Sequence, residues 1–194
     1  MSESYYFSGK RIYLRNVRIE DINPTYCSWL NNPEVNQYLE TRFSYHTIKS
    51  TKKYLKTMNA DKDSIFLAIC LKKSDTHIGN IKLGAINRCH NFADISLFIG
   101  DQKCWGYGYA LEAILLLCDF AFEQLHLNKL MAGCYGNNIG SKKAFEKAGF
   151  NQEGILKKFY LCNDTYVDGF IFCLLKEGWL KQKGCFDKCL IGKA

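Results

Sequence analysis

The sequence predicts a single α/β domain, a mixed and mostly antiparallel sheet carrying helices on it. Three observations predict this class. Apolar patterning runs in the order strand–strand–strand–helix–strand–helix–strand–strand. One segment, Tyr109–Leu125, is apolar almost all round, as a helix largely buried against a sheet must be. Two pairs of strand-length runs flank short polar turns, the pattern of hairpins. The length of 194 residues suits one domain with one core and is short for two. The whole chain, 1–194, is therefore read as one domain. With 47% hydrophobic and 14% aromatic residues, it is not a disordered chain.

Taken in order, Arg11–Arg15 alternates apolar and polar and is a first strand. Asp21 opens a switch toward Tyr26, Trp29 and Leu30, a short helix. Asn32-Pro33 sets an N-cap and a proline at the first helical position, with Val35, Tyr38 and Leu39 following at helical spacing. A third helix is expected near His46–Asn59, marked by Ile48, Tyr54, Leu55 and Met58. Ser64–Leu71 and His77–Ile86 form a hairpin around Asp75-Thr76. Ala93–Gly100 is a strand with Ile95, Leu97 and Ile99 on one face. A turn, Asp101–Gly108, leads into the buried helix. Lys129–Tyr135 is a short strand. Asn138–Ala148 is a short helix ended by Gly149 at C′. Gln152–Leu161 and Tyr166–Leu175 form a last hairpin across Asn163-Asp164. The lysine-bearing end, Lys176–Lys193, reads as a solvated basic tail.

Several classes are excluded or disfavoured. No apolar run reaches the roughly 18 residues a membrane span needs; the longest, Ala113–Cys118, is soon broken by Asp119. Met1-Ser2-Glu3-Ser4 lacks the basic-then-apolar order of a secretory signal, so a cytoplasmic protein is expected. The ten cysteines sit in apolar runs, as at Cys70, Cys118 and Cys173, without a CxxC pair or zinc spacing. They read as buried thiols, and no metal is expected. The net charge of +7 suits an anionic ligand. The basic residues are spread along the chain, so neither nucleic acid nor membrane is the expected partner.

The informative segment is Lys103-Cys104-Trp105-Gly106-Tyr107-Gly108-Tyr109-Ala110, between a strand and the buried helix. A helix start exposes unpaired N–H groups and a partial positive charge, and glycines let backbone approach an anion. This order makes an anion cradle, with a pyrophosphate as its natural guest. It is not a dinucleotide fingerprint, because Leu111 occupies the third glycine position and no acidic residue ends a strand about 20 residues on. It is not a P-loop, which needs Gly-Lys-Ser/Thr. A lone Gly-x-Gly is weak, and a plain helix-start turn is its simplest reading.

A second segment adds weight: Asn138-Ile139-Gly140-Ser141, then Ala144-Phe145-Glu146-Lys147-Ala148-Gly149-Phe150. Together the two segments resemble the GNAT acetyltransferase superfamily, over about residues 10–176. The first is similar to its acetyl-coenzyme A motif, the second to its Asn-x-x-Ser/Ala helix ending in Gly-Phe. The branch containing the ribosomal-protein N-terminal acetyltransferases is the nearest in pattern, on Trp105–Ala110 and on Trp29-Leu30-Asn31-Asn32-Pro33-Glu34-Val35. The resemblance implies a GNAT-like fold and acetyl-CoA as co-substrate. It implies that the strand at Phe98 and Ile99 pairs its backbone with the pantetheine arm. Backbone around Cys104, Trp105, Gly106, Tyr107, Gly108, Tyr109 and Ala110 would hold the pyrophosphate. Asn138 would bond pantetheine, and Ser141 would lie near the thioester sulfur. There are two departures. Lys103 stands where Arg or Gln is usual, and still offers a point charge to a phosphate. Phe145 stands where many members have a Tyr that protonates the departing thiolate.

Direct attack on the thioester needs a neutral amine, yet primary amines have pKa values of about 8 to 10, so a general base is expected. A backbone N–H on Ala93–Gly100 is the candidate oxyanion donor. Asp94, at the start of that strand, and Asp168, in Tyr166-Val167-Asp168-Gly169, are the candidate bases, each with a structural alternative. Glu40 is a third, more simply a solvated helix end. His77 and His90 show no partner in sequence and read as structural. Ser141 or water replaces the missing Tyr as proton donor; a thiol of pKa about 8.5 makes this step undemanding. Trp105 and Tyr107 read as cleft wall, and Cys134 as a buried thiol.

The acceptor is expected to be a small amine, such as an amino sugar linked to a nucleotide. The positive charge suits it and disfavours a polycation such as spermidine. A protein N-terminus is the alternative, and a catalytically inactive acetyl-CoA-binding module is another. Many relatives dimerise, so a homodimer is an expectation of the resemblance alone.

Overall fold

The structure, a computed structural model, describes residues 5–190. Residues 1–4, read above for a leader, and residues 191–194, which include the end of the basic tail, lie outside them. The strands are β1 (Tyr6–Ser8), β2 (Ile12–Asn16), β3 (Ile65–Leu71), β4 (His77–Asn87), β5 (Phe92–Ile99), β6 (Lys129–Tyr135), β7 (Asn151–Cys162) and β8 (Thr165–Leu175). The helices are α1 (Pro24–Asn31), α2 (Pro33–Asn36), α3 (Ile48–Ala60), α4 (Tyr109–Glu123), α5 (Ile139–Lys147) and α6 (Lys176–Leu190). Short 3-10 turns at Ile19–Asp21, Glu40–Phe43 and Gln102–Cys104 join them.

All eight strands form one sheet in the order β1-β2-β3-β4-β5-β6-β8-β7. Every neighbouring pair is antiparallel except β5 and β6, which run parallel. The mixed, mostly antiparallel sheet with helices on it is the predicted class.

Side-chain alternation divides the sheet into two faces. On the back face Leu14, Leu67, Ile69, Ile81, Ala93, Ile95, Leu130 and Phe172 pack under α4, whose Ala113, Ile114, Leu117, Cys118 and Phe122 are buried. On the front face Val17, Ala68, Cys70, Phe66 and Phe98 meet Tyr26 and Leu30 of α1 and Leu55 of α3. The nine cysteines from Cys27 to Cys185 are free, and the seven buried ones act as small apolar fillers.

Two polar groups are buried by design of their partners. Asp21 takes both Arg15 guanidinium nitrogens at 2.6 and 2.8 Å and the Arg18 N–H at 2.6 Å. Glu112, 3% exposed in the first turn of α4, accepts the backbone N–H of Arg11 at 2.7 Å and of Ile12 at 3.2 Å. Its second oxygen takes Arg11 Nε at 2.8 Å. This ties the start of β2 to the start of α4, about 100 residues apart in sequence.

Two features depart from the sequence reading. The three-residue β1 was not anticipated; it is held at the sheet edge by pairing with β2. The end of the chain is not a solvated tail through its described part. Lys176–Leu190 is a helix whose Trp179 is 0% exposed. Trp179 stacks on Phe122 of α4 and on Phe186 one heptad later in α6. Lys183 bridges Asp119 and Glu123 of α4 at 2.9 and 3.2 Å. Lys181 lies on the exposed side of this amphipathic helix, and Trp179 and Phe186 define its inner face.

Two measurements check these layers. Trp179→Ala removes a fully buried indole and is expected to cost about 3–5 kcal/mol in urea unfolding; a solvated tail would give less than about 0.5 kcal/mol. His77 is stacked on Tyr26 and edge-on to Trp29. Burial holds its imidazole below the ordinary histidine range, against the pull of Asp21. The folded protein therefore keeps it neutral while the unfolded chain protonates it near pH ~6.5. Its contribution to stability is full above that pH and declines as pH falls below it. Thermal unfolding between pH 7 and 5 is expected to decline less steeply in His77→Gln than in the wild type.

Candidate active site

The site begins with a fork in the sheet. β5 and β6 are in register only at Phe92–Asp94 with Lys129–Met131. Beyond that, β5 stays with β4 out to Ile99 and β6 stays with β8 out to Tyr135. The two strands separate, and a cavity of about 1060 Å³ opens between them and extends over the front face. The side of β5 that faces it follows from register. Gly100 N–H donates to Ile78 on β4 at 2.8 Å, so the even-numbered residues of β5 point their backbone toward β4. The odd ones, Ile95, Leu97 and Ile99, point theirs into the fork. Of the two residues expected to meet pantetheine, Ile99 turns its backbone to the fork, and Phe98 turns its backbone to β4.

The glycine turn stands at the mouth of the fork. Gly106 and Gly108 both have φ of 80°, a left-handed conformation in which a side chain is strained. Gly108 is the N-cap of α4, whose first return hydrogen bond is Glu112 N–H to Gly108 O at 3.2 Å. The N–H groups of Tyr109, Ala110 and Leu111 therefore have no intrahelical acceptor, and all three residues line the cavity. Cys104, Trp105, Gly106 and Gly108 line it as well. The Trp105 indole N–H donates to Ile99 O at 2.8 Å, closing the turn onto the end of β5. Lys103 and Tyr107 are exposed and are not among the lining residues. The arrangement is a cradle of free N–H groups at a helix start, chemically fit for a pyrophosphate.

α5 supplies the opposite wall. Asn138 caps it, accepting Ser141 N–H at 3.1 Å through its side-chain oxygen. Asn138, Ser141, Cys134 and Phe145 all line the cavity. The Ser141 hydroxyl lies beside the Cys134 thiol, which burial pushes up, so it is a thiol and not a nucleophilic thiolate. Phe145 is 2% exposed and packs on Phe150 and Phe172.

The three weighed carboxylates separate cleanly. Asp94 projects from the front face at the base of the fork. Partial burial holds its carboxyl above the usual range, opposed by Lys82, and it does not line the cavity. Asp168 is on β8, paired with Lys157 at 2.9 Å and accepting Lys158 N–H at 2.9 Å. Those contacts hold its carboxyl low and pin a β7 bulge at Lys158, φ 48°. It too lies away from the cavity lining. Glu40 does line the cavity, accepting the Tyr135 hydroxyl at 2.5 Å.

Tyr135, which lines the cavity, and Arg42, which bonds it, are a pair that sequence reasoning did not single out. Tyr135, the last residue of β6, stacks on Tyr160 with ring centroids 3.9 Å apart. Burial and the Glu40 carboxylate raise its hydroxyl pKa to about 12, so it stays a donor at neutral pH. Arg42 reaches the Tyr135 hydroxyl at 2.5 Å and Leu161 O at 2.7 Å. These contacts join residues 93 and 119 positions apart, and no local pattern announces them. Tyr26, Tyr54, Phe66 and Lys82 complete the front wall.

Among the described residues no group of three or more His, Cys, Asp or Glu is placed to hold a metal. No helix of the described residues is long and apolar enough to cross a membrane.

Comparison with known proteins agrees with this geometry. The chain is 30% identical over 174 residues to the probable N-acetyltransferase YjcK of Bacillus subtilis (strain 168), covering 86% of this chain and 95% of that protein. It is 25% identical over 176 residues to the spermidine N(1)-acetyltransferase of Escherichia coli (strain K12), covering 90% and 91%. Among solved structures, spermidine N-acetyltransferase from Vibrio cholerae in complex with CoA and spermine superposes with a TM-score of 0.78. The sequence identity there is 22%, over 88% of this chain and 98% of that one, a likeness of fold. Residues 11–151 match the family model described as the acetyltransferase (GNAT) domain. The chain belongs to the GNAT family and is an acetyl-CoA-dependent N-acetyltransferase.

Proposed function

We propose that the protein moves the acetyl group of acetyl-CoA to the primary amine of a small acceptor by direct attack. The fork carries this reading: it is open along one strand edge, with a helix-start cradle at its mouth. The pyrophosphate would sit on the N–H groups of residues 109–111, and the pantetheine arm along the free backbone of Leu97 and Ile99. The acceptor would enter over the front face, between α3 and the 3-10 turn Glu40–Phe43.

Each step then has a group suited to it. Glu40 takes the proton the amine loses as its nitrogen bonds to the acetyl carbon. A β5 N–H turned into the fork, that of Leu97, donates to the oxygen where negative charge develops. The C–S bond breaks, and the departing sulfur receives a proton relayed by Ser141 from solvent. Phe145 has no proton to give. Asp94 is a second candidate base, acting through water from the base of the fork. Asp168 is assigned to the hairpin, by its Lys157 pair and its bond to the bulge.

The acceptor we favour carries negative charge, as a nucleotide-linked amino sugar does. Lys82, Lys143 and Lys147 line the cavity. Its two acidic lining residues are already engaged: Glu34 by Gln102 at 2.5 Å, and Glu40 by Tyr135. A polyamine is the second reading, supported by the relatives named for spermidine and by those two carboxylates on one wall. The pattern shared with the ribosomal-protein branch supports a protein N-terminus as a third. A homodimer is a further expectation of the family likeness.

Thiol release from acetyl-CoA with nucleotide amino sugars, polyamines and N-terminal peptides tests the assignment. Turnover with the sugar class is expected, and preference for spermidine would favour the second reading. With the active amine, Glu40→Gln is expected to lower kcat/KM roughly 10²-fold and leave acetyl-CoA binding unchanged, whereas Asp168→Asn stays within about twofold. Equal losses in Glu40→Gln and Asp94→Asn would move the base to Asp94 and a water.

A further inference from the structure

Arg11 belongs to none of the motifs that mark the cofactor site, yet it is fastened to the back of the glycine turn. Its Nε is held by Glu112 at 2.8 Å, and its Nη1 donates to Tyr107 O at 2.6 Å. The guanidinium carbon lies 4.9 Å from the centroid of the Tyr109 ring. Its other terminal nitrogen is 3.5 Å from where a Cβ on Gly108 would stand. Arg11 therefore touches three successive residues of the cradle, 107, 108 and 109, from the side away from the cavity.

The Tyr107–Gly108 peptide is the weak point of an anion cradle. Gly108, on its C-terminal side, has φ 80°, and a glycine there lets such a peptide plane rotate at little cost. Rotated one way, the carbonyl oxygen of Tyr107 faces the incoming anion and repels it. Rotated the other way, it faces Arg11 and leaves the cavity side to N–H groups. The bond to Arg11 selects the second orientation and neutralises the carbonyl dipole. The buried carboxylate of Glu112 fixes the Arg11 rotamer by one charge-assisted bond and keeps its own place through the backbone N–H groups of Arg11 and Ile12.

We propose that Arg11, locked by Glu112, is a positioning residue for the pyrophosphate of acetyl-CoA: it orients the Tyr107–Gly108 peptide and sets a positive charge behind the cradle. The inference rests on the placement of acetyl-CoA given above. It assigns to the start of β2 the supporting cation for which Lys103, exposed outside the cavity, is poorly placed. A residue that acts on the pyrophosphate affects only ligands that carry one.

The test is binding, measured by calorimetry with CoA and by thermal shift with pantetheine, which lacks every phosphate. Wild type, Arg11→Ala and Arg11→Lys are compared, each checked for folding by near-UV circular dichroism. Arg11→Ala is expected to weaken CoA roughly tenfold or more while the pantetheine shift stays within about twofold. Arg11→Lys, which keeps the charge but lacks the fork, is expected to fall between the two. The CoA loss in Arg11→Ala is also expected to shrink in high salt as the charge behind the cradle is screened. Folded Arg11→Ala that binds CoA like the wild type overturns the proposal, as does an equal loss for CoA and pantetheine. Folded wild type that does not bind CoA overturns the placement of acetyl-CoA itself, an outcome distinct from either.

Discussion

The constraint on which the rest depends is the divided allegiance of two neighbouring strands. β5 is paired along its length with β4, and β6 along its length with β8, yet the two share only three residue pairs with each other. Past Asp94 each presents an unpaired edge to the other. Backbone groups withheld from a partner must be met by something. Here the Trp105 indole takes one of them, Ile99 O, and the remainder face an open cavity. A ligand with amides of its own is what such an edge can pair with. Chain direction completes the arrangement, because β5 runs toward the glycine turn and delivers the start of α4 to the same opening.

The faces of the sheet divide the labour. The back face is apolar and sealed, with α4 lying across it through its buried side. That rigidity fixes the helix start in space. The one carboxylate admitted there, Glu112, is satisfied by three donors, so it anchors the turn without leaving an uncompensated charge. The front face is mixed. Its aromatic rings and the Glu40–Tyr135 pair form walls that are polar enough for an amine, and Arg42 holds Tyr135 in place.

Much of this was legible in the sequence because it is local. The apolar helix, both hairpins, the strand at Lys129–Tyr135 and the capped helix after Asn138 each follow from periodicity and punctuation within a dozen residues. The glycine turn is legible for the same reason. What escaped is long-range or disguised. Tyr135 meets Glu40 and Arg42 across 95 and 93 positions, and Arg11 meets Glu112 across 101. Glu40 and Asp168 are both acids near turns, and only tertiary placement assigns one to the cavity wall and the other to a bulge. The helix at Lys176–Leu190 was hidden by its lysine-rich composition, with Trp179 and Phe186, seven residues apart, as the marks of an inner face.

That final helix has a consequence for how the protein is made. The flank of α4 that carries Phe122 is covered by Trp179, and Trp179 is synthesised more than fifty residues later. A growing chain thus completes the sheet-facing side of its central helix well before the outer cover exists. Until α6 clears the ribosome, an aromatic surface on α4 stands open to other nascent chains and to chaperones. The helix acts as a late cover: a chain interrupted before residue 176 keeps every residue of the cradle and cavity, yet leaves a sticky flank on the element that holds them.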